Sequence, residues 1–180
     1  RGSGGLAVES IGRIGTGQMS DSFRVAYSGG SEGGGDTVVV KLAATDETSR
    51  GTGVALGIYL REVTFYRELR DRIGGPLAVC HLAAYDETEG WFTLVLEDVA
   101  DGVQGDQIAG CTPEQARVAM VALARIHAPV LGDLALAAEG WLNQVNPLNQ
   151  ALLTALLPGF LERYEGRIAP EHAEVCERLV

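Results

Sequence analysis

Three patterns in the sequence predict an α+β chain, an antiparallel sheet of about five strands carrying one helix and followed by further helices. Short β-prone runs recur up to Glu97, one apolar-striped helical segment interrupts them, and only helical patterns follow from Thr112.

The first strands flank a glycine- and hydroxyl-rich stretch, Ile14-Gly15-Thr16-Gly17-Gln18-Met19-Ser20-Asp21-Ser22-Phe23-Arg24-Val25. Phe23 to Tyr27 partly alternates as a half-buried strand does. Gly15 and Gly17 permit positive φ and close approach of backbone to a ligand. Successive N–H groups in such a turn form a concavity suited to phosphate oxygens, although a plain hairpin turn uses the same residues. The order of elements separates the phosphate-binding designs. A dinucleotide fingerprint opens a helix, whereas a strand follows here and Ser20 stands where the last glycine would be. A Walker-type loop requires Gly-Lys-Ser/Thr, and the lysine of this chain follows Val40. A hairpin lid with a lysine on the next strand remains.

Ser28 to Gly35 supplies the next connection, and Thr37-Val38-Val39-Val40 reads as a strand ending in Lys41. Lys41 is the only lysine among 14 basic residues. Arginine is a broad, permanently charged fork, whereas lysine is a point charge on a slim stem that reaches a phosphate oxygen from inside an apolar cleft. Val54 through Asp71 is the expected helix. Around Glu62 the helical neighbours are Ile58, Tyr59, Phe65 and Tyr66, so its carboxylate sits in the apolar stripe, while Glu68 faces Thr64, Asp71 and Arg72. A carboxylate turned toward a core requires a partner. Lys41 is one; Arg61 or Arg67 at the rim is the alternative.

Gly74-Gly75-Pro76 ends the helical pattern. Strand-like runs from Ala78 to Tyr85 and from Trp91 to Glu97 flank the turn residues Asp86 to Gly90, a hairpin. The run Trp91 to Leu96 then gives way to Glu97-Asp98-Val99-Ala100-Asp101-Gly102, a buried strand emerging into a hinge.

These segments together resemble the aminoglycoside phosphotransferase-like kinases, with their choline-kinase and ecdysteroid-kinase relatives, which share the protein-kinase-like fold. The resemblance runs from about Ile11 to Trp141 and is carried by the Gly15 to Ser22 loop, Val39-Val40-Lys41-Leu42, Arg61 to Tyr66, Leu94-Val95-Leu96-Glu97-Asp98, and Ala122 to Ala128. It implies a nucleotide-binding lobe over residues 1–98, a hinge over 99–111 and the beginning of a helical lobe over 112–180. It further implies that Lys41 contacts the α and β phosphates of ATP and pairs with Glu62. The loop formed by Gly15, Thr16, Gly17, Gln18, Met19, Ser20 and Ser22 would cover the phosphates, and the backbone of Glu97, Asp98 and Val99 would hold the adenine.

Such kinases carry their chemistry on a later loop, His-x-Asp-x-x-x-x-Asn, followed by a metal-binding Asp. His81, His127 and His172 are followed by Leu82-Ala83, Ala128-Pro129 and Ala173-Glu174, so none begins that pattern. No catalytic residue is therefore expected within these residues, and the magnesium ligands are expected downstream of Val180, in a longer enzyme that moves the γ-phosphate to a small-molecule hydroxyl. A catalytically inactive, pseudokinase-like regulatory module is the alternative.

Thr112-Pro113-Glu114-Gln115 has the makings of a helix start, a hydroxyl cap, proline at the first position and Gln at the third. Ala116, Met120, Leu123, Ala124 and His127 then share a face. Asn149 to Tyr164 is a leucine-rich helical pattern interrupted at Pro158-Gly159, and Glu171 to Leu179 closes the chain. The former lacks the basic face of a membrane-surface helix, so a lobe helix is expected.

The net charge of −10 argues against nucleic-acid binding and is compatible with a cationic acceptor such as an aminosugar or choline. Hydrophobic residues make up 46% of the chain, ample for a core. Cys80, Cys111 and Cys176 show no Cys-x-x-Cys spacing, which predicts no zinc site and fits a reducing cytoplasm. No stretch is long enough to span a bilayer, and no signal peptide is visible. The oligomeric state is not legible in the sequence.

Overall fold

The computed structural model describes residues 5–15, 17–29, 36–143 and 150–179. They form a mixed α+β structure, a five-stranded antiparallel sheet with six α-helices. The strands are β1 (Ala7–Ile14), β2 (Ser20–Ser28), β3 (Asp36–Ala43), β4 (Cys80–Asp86) and β5 (Trp91–Glu97), in the order β1-β2-β3-β5-β4. The helices are α1 (Glu47–Ala55), α2 (Ile58–Thr64), α3 (Pro113–His127), α4 (Leu134–Ala137), α5 (Gln150–Arg163) and α6 (Pro170–Arg178). The β4–β5 hairpin falls within two residues of its expected bounds. β2 and β3 pair up to Tyr27 and Asp36; most of the connection expected between them lies outside the described residues.

Pairing register fixes which side chains share a sheet face, because directly opposed residues point the same way. Lys41 is opposite Ser22 on β2 and Leu94 on β5, and Leu94 is opposite Ala83 on β4. This face meets α2. The core consists of Ala43, Tyr59, Val63, Phe92 and Leu94, with Ile58, Tyr66, Ala83, Tyr85 and Leu96 packed around it. The Tyr59 and Phe92 rings stack at 4.4 Å, offering the offset arrangement that aromatic quadrupoles favour. The other face carries Val8, Ile11, Val25, Tyr27, Val38 and Val95, of which Val8 and Ile11 are exposed.

The helix expected over Val54–Asp71 is differently divided. α1 begins at Glu47, capped by the Asp46 carboxylate, which accepts from Ser49 N–H at 2.8 Å. It stops before Gly57, whose φ of 64° breaks the helical path, and α2 restarts at Ile58. After Thr64 the chain widens into a π-helical turn, Phe65–Leu69, and tightens into a 3₁₀ turn, Arg70–Arg72. Composition hid α1, because Thr48, Ser49, Gly51, Thr52 and Gly53 are weak helix formers without an apolar period. Tertiary contacts hold it instead: Arg50 lies 4.4 Å over the Trp91 ring and donates to the Ala44 carbonyl at 2.9 Å.

Two compact units divide between Glu139 and Gly140. The sheet's unit runs on through α3 and α4, past the expected hinge. α3 starts with the expected capping box of Thr112 and Gln115. Its packed face differs from the expected one: Met120, Leu123 and His127 are exposed, while Ala122 and Ile126 meet the Gly74-Gly75 turn. A Cβ on Gly75 would come within 2.6 Å of Ile126 Cγ1, so only glycine lets the turn seat there. Arg72 pairs with Asp133 at 2.9 Å. In the second unit α5 runs unbroken through Pro158, contrary to the expected interruption. Leu153, Leu156, Leu157 and Phe160 of α5 face Cys176 and Leu179 across an apolar cleft. Gln150 donates to the Leu179 carbonyl at 2.8 Å. Among the described residues no helix is long and apolar enough to cross a membrane.

Candidate functional site

Lys41 extends from the central strand β3 toward α2, where its Nζ donates to both Glu62 oxygens, at 2.7 and 2.8 Å. Both side chains are about a quarter exposed, 27% and 26%, so the pair lies at the rim of the core and opens to solvent. The two competing arginines are engaged elsewhere. Arg61 donates to the carbonyls of Leu56 and Gly57, closing the break between α1 and α2, and Arg67 donates to the Ala83 carbonyl at 2.9 Å. Glu62 thus belongs to Lys41. The exposed Glu68 lies on the other side of the helix, as its neighbours indicated. The lysine nitrogen contacts both carboxylate oxygens, and an ammonium with three donors has donor capacity beyond this one carboxylate on its open side.

The glycine-rich loop joins β1 to β2 beside this pair. Ser22 is the cross-strand neighbour of Lys41, and Ser20 that of Ala43, so both hydroxyls belong to the lysine's face. Gly15 takes φ 72°, a left-handed conformation that favours glycine, and a Cβ on Gly17 would meet the Ser20 carbonyl oxygen at 3.0 Å. Gly17 and Gln18 are exposed and Met19 is half-buried. Thr16 lies outside the described residues.

Two attachments hold the loop, and sequence reasoning found neither. On the outer side, buried Asp21 accepts from Thr45 N–H and Thr45 Oγ1, each at 2.9 Å, and pairs with Arg13. Its carboxyl is held below the ordinary carboxylate range, first by the Thr45 amide, then by the Thr45 hydroxyl and the Arg13 charge, against the opposing effect of burial. On the inner side, the Tyr59 hydroxyl donates to the Met19 carbonyl and accepts from Ala44 N–H at 3.4 Å. The aspartate carried no sequence signal beyond its loop position.

Glu97, Asp98 and Val99 lie at the other end of β5, roughly 10 Å along the strand from Leu94, the partner of Lys41. The side chains of Glu97 and Asp98 serve the sheet. Glu97 and Val79 exchange two bonds, amide to carbonyl at 2.8 Å and Val79 amide to carboxylate at 3.0 Å. Arg24 of β2 grips Asp98 in a fork, Nε at 2.6 Å and Nη2 at 2.9 Å. The Asp98 carboxyl is held below its ordinary range by that fork first, and by Thr37 as well. The Val99 carbonyl accepts from Gly102 N–H at 2.9 Å, closing a tight turn, and its side chain is exposed.

Around the pair, burial pushes the Tyr66 hydroxyl up, reinforced by the Glu62 charge, and burial also pushes the Cys80 thiol up. Neither group is suited to act as a base near neutral pH. Among the described residues no three His, Cys, Asp or Glu side chains gather as a metal site. The donor set, a lysine, two hydroxyls and a glycine-rich turn, fits phosphate oxygens and does not supply a magnesium site.

Comparison with family models, with curated proteins and with solved structures finds no match to this chain.

Proposed function

We propose that this chain is the nucleotide-binding part of an ATP-dependent phosphotransferase of the aminoglycoside phosphotransferase-like kind, with a protein-kinase-like arrangement of sheet and helix. The reading rests chiefly on one observation, the single lysine of the chain held on the central strand by a carboxylate from the packed helix, with Ser22 beside it. In this reading Lys41 receives α- and β-phosphate oxygens and Glu62 keeps it aimed. The turn from Gly15 to Ser22 lies over the phosphates, and the backbone from Glu97 to Val99 receives the adenine. The contribution of these residues is positioning and charge neutralisation. Magnesium, when bound with ATP, neutralises phosphate charge; its protein ligands and the group that orients the acceptor hydroxyl belong to residues outside this set.

The acceptor is a small-molecule hydroxyl compound, and the net charge of −10 suits a cationic one while opposing nucleic acid. The free thiols of Cys80, Cys111 and Cys176 suit a reducing cytoplasm. Transfer of label from ATP to a panel of hydroxyl acceptors, aminosugars and choline included, tests the reading in the full-length protein. Labelled product that disappears in Lys41→Ala is expected; absence of transfer to every acceptor contradicts it. The contexts of His81, His127 and His172 favour a second reading, a nucleotide-binding regulatory module without transfer. Turnover by the full-length protein excludes that module.

A further inference from the structure

The hydroxyl of Tyr59 bonds to two segments of the proposed phosphate site and is carried on the third. It belongs to α2, three residues before Glu62, which places both on neighbouring positions of one helical face. It donates to the carbonyl of Met19 in the glycine-rich loop, forty positions away, and accepts from the amide of Ala44, three residues beyond Lys41. The residue is 1% exposed. Its ring is confined by its neighbours, stacked on Phe92 at 4.4 Å and seated against Gly53, where any Cβ would come within 2.5 Å of the ring. A ring so confined has little freedom to move its hydroxyl independently of α2.

Resting on the nucleotide-binding reading of Lys41, we propose that Tyr59 is a positioning residue coupling the glycine-rich loop to the helix that carries Glu62. The placement of Met19 and the seating of Glu62 on Lys41 are then set from one helix, by one side chain. Beside the Asp21–Thr45 attachment, the loop is tied to α2 by this part-buried bond, and α2 is flanked by Gly57 at one end and the π-helical turn at the other.

Hydrogen exchange of the full chain and of Tyr59→Phe, each without and with ADP, tests the coupling. The phenylalanine keeps the ring and its stacking and removes only the hydroxyl. Without nucleotide, amides of residues 20–22, where the loop enters β2, should exchange roughly three- to tenfold faster in the variant, the range of one lost neutral hydrogen bond, while β4 and β5 keep their protection and so report an intact fold. Tyr66→Phe, a hydroxyl lost outside the clasp, should leave the loop unchanged. With ADP, loop and α2 should slow together in the parent chain, and in Tyr59→Phe the slowing of α2 should be lost. Loop exchange unchanged in Tyr59→Phe overturns the inference, as does an ADP effect confined to the loop in the parent chain. If ADP slows nothing in the parent chain while the variant's loop still exchanges faster, the clasp stands and the nucleotide reading falls.

Discussion

Lys41 and Glu62, 21 positions apart in sequence, meet with the lysine nitrogen 2.7 Å from one carboxylate oxygen and 2.8 Å from the other. The lysine comes from the middle strand and the glutamate from α2, whose Tyr59 and Val63 are buried in the core beside Phe92 and Leu94 of the neighbouring strand β5. Either residue alone would be a half-covered charge at the edge of a core. Together they form an anchored cation with one open side.

A double-mutant cycle on the pair should show energetic coupling. Lys41→Met, Glu62→Gln and the double variant, compared by urea denaturation, should give a coupling of about 1 kcal/mol, the upper range for pairs open to solvent. Strictly additive effects would mean that the two charges do not sense one another.

Gly53→Ala should destabilise the protein, against the usual trend. In an ordinary helix interior the replacement gains about 1 kcal/mol. Here the added Cβ would lie 2.5 Å from Cζ of Tyr59, an overpacking that costs about 1–3 kcal/mol. Urea denaturation distinguishes the signs, and a stabilised variant would place Tyr59 elsewhere.

Acid stability should depend on Asp21 and Asp98. Both carboxyls are held below their ordinary range in the folded protein, Asp21 by Thr45 and Asp98 by Arg24. The unfolded chain therefore binds more protons than the folded one as pH falls below about 4, where free carboxylates titrate. The stability these groups contribute is present above that pH and is lost as pH drops through the lowered folded values. Asp21→Asn and Asp98→Asn should each flatten the acid limb of a stability-against-pH curve. An unchanged slope in both would remove these contacts from the acid response.

Pro158→Ala should strengthen α5. Proline inside a helix removes one backbone donor and crowds the preceding turn, at roughly 3 kcal/mol relative to alanine. Since α5 continues through Pro158, part of that cost is carried by the folded second unit. Far-ultraviolet circular dichroism should show more helix retained in urea, and equal or lower retention would contradict the prediction.

Much of the sheet was legible in the sequence because its strands are bounded by strong turn residues, Gly15 to Gly17 before β2, Gly74-Gly75-Pro76 before β4 and Asp86 to Gly90 before β5. The Lys41–Glu62 pairing was legible because Glu62 interrupts an apolar stripe, leaving a carboxylate that needs a cation. Choosing lysine over Arg61 and Arg67 required the structure, which shows both arginines bonded to backbone carbonyls. α1 was hidden because its glycines and threonines carry no period and its support comes from Tyr59, Trp91 and Ala44. The expected face of α3 was turned from the packed one. Periodicity defines an apolar stripe, but the seating of Ile126 depends on two glycines far upstream. The Tyr59 clasp left no trace in the pattern, since its acceptor is a backbone carbonyl that any residue at position 19 would supply.

The lone lysine makes the central claim directly measurable. In protein grown with ¹³Cε-lysine the side-chain spectrum contains one lysine resonance, that of Lys41. Titration with ADP should shift it saturably, and Glu62→Gln should weaken the titration about tenfold or more, as loss of a charged hydrogen-bond partner does. A resonance that stays in place through millimolar ADP would show that no nucleotide phosphate reaches Lys41, and the kinase reading would fail with it.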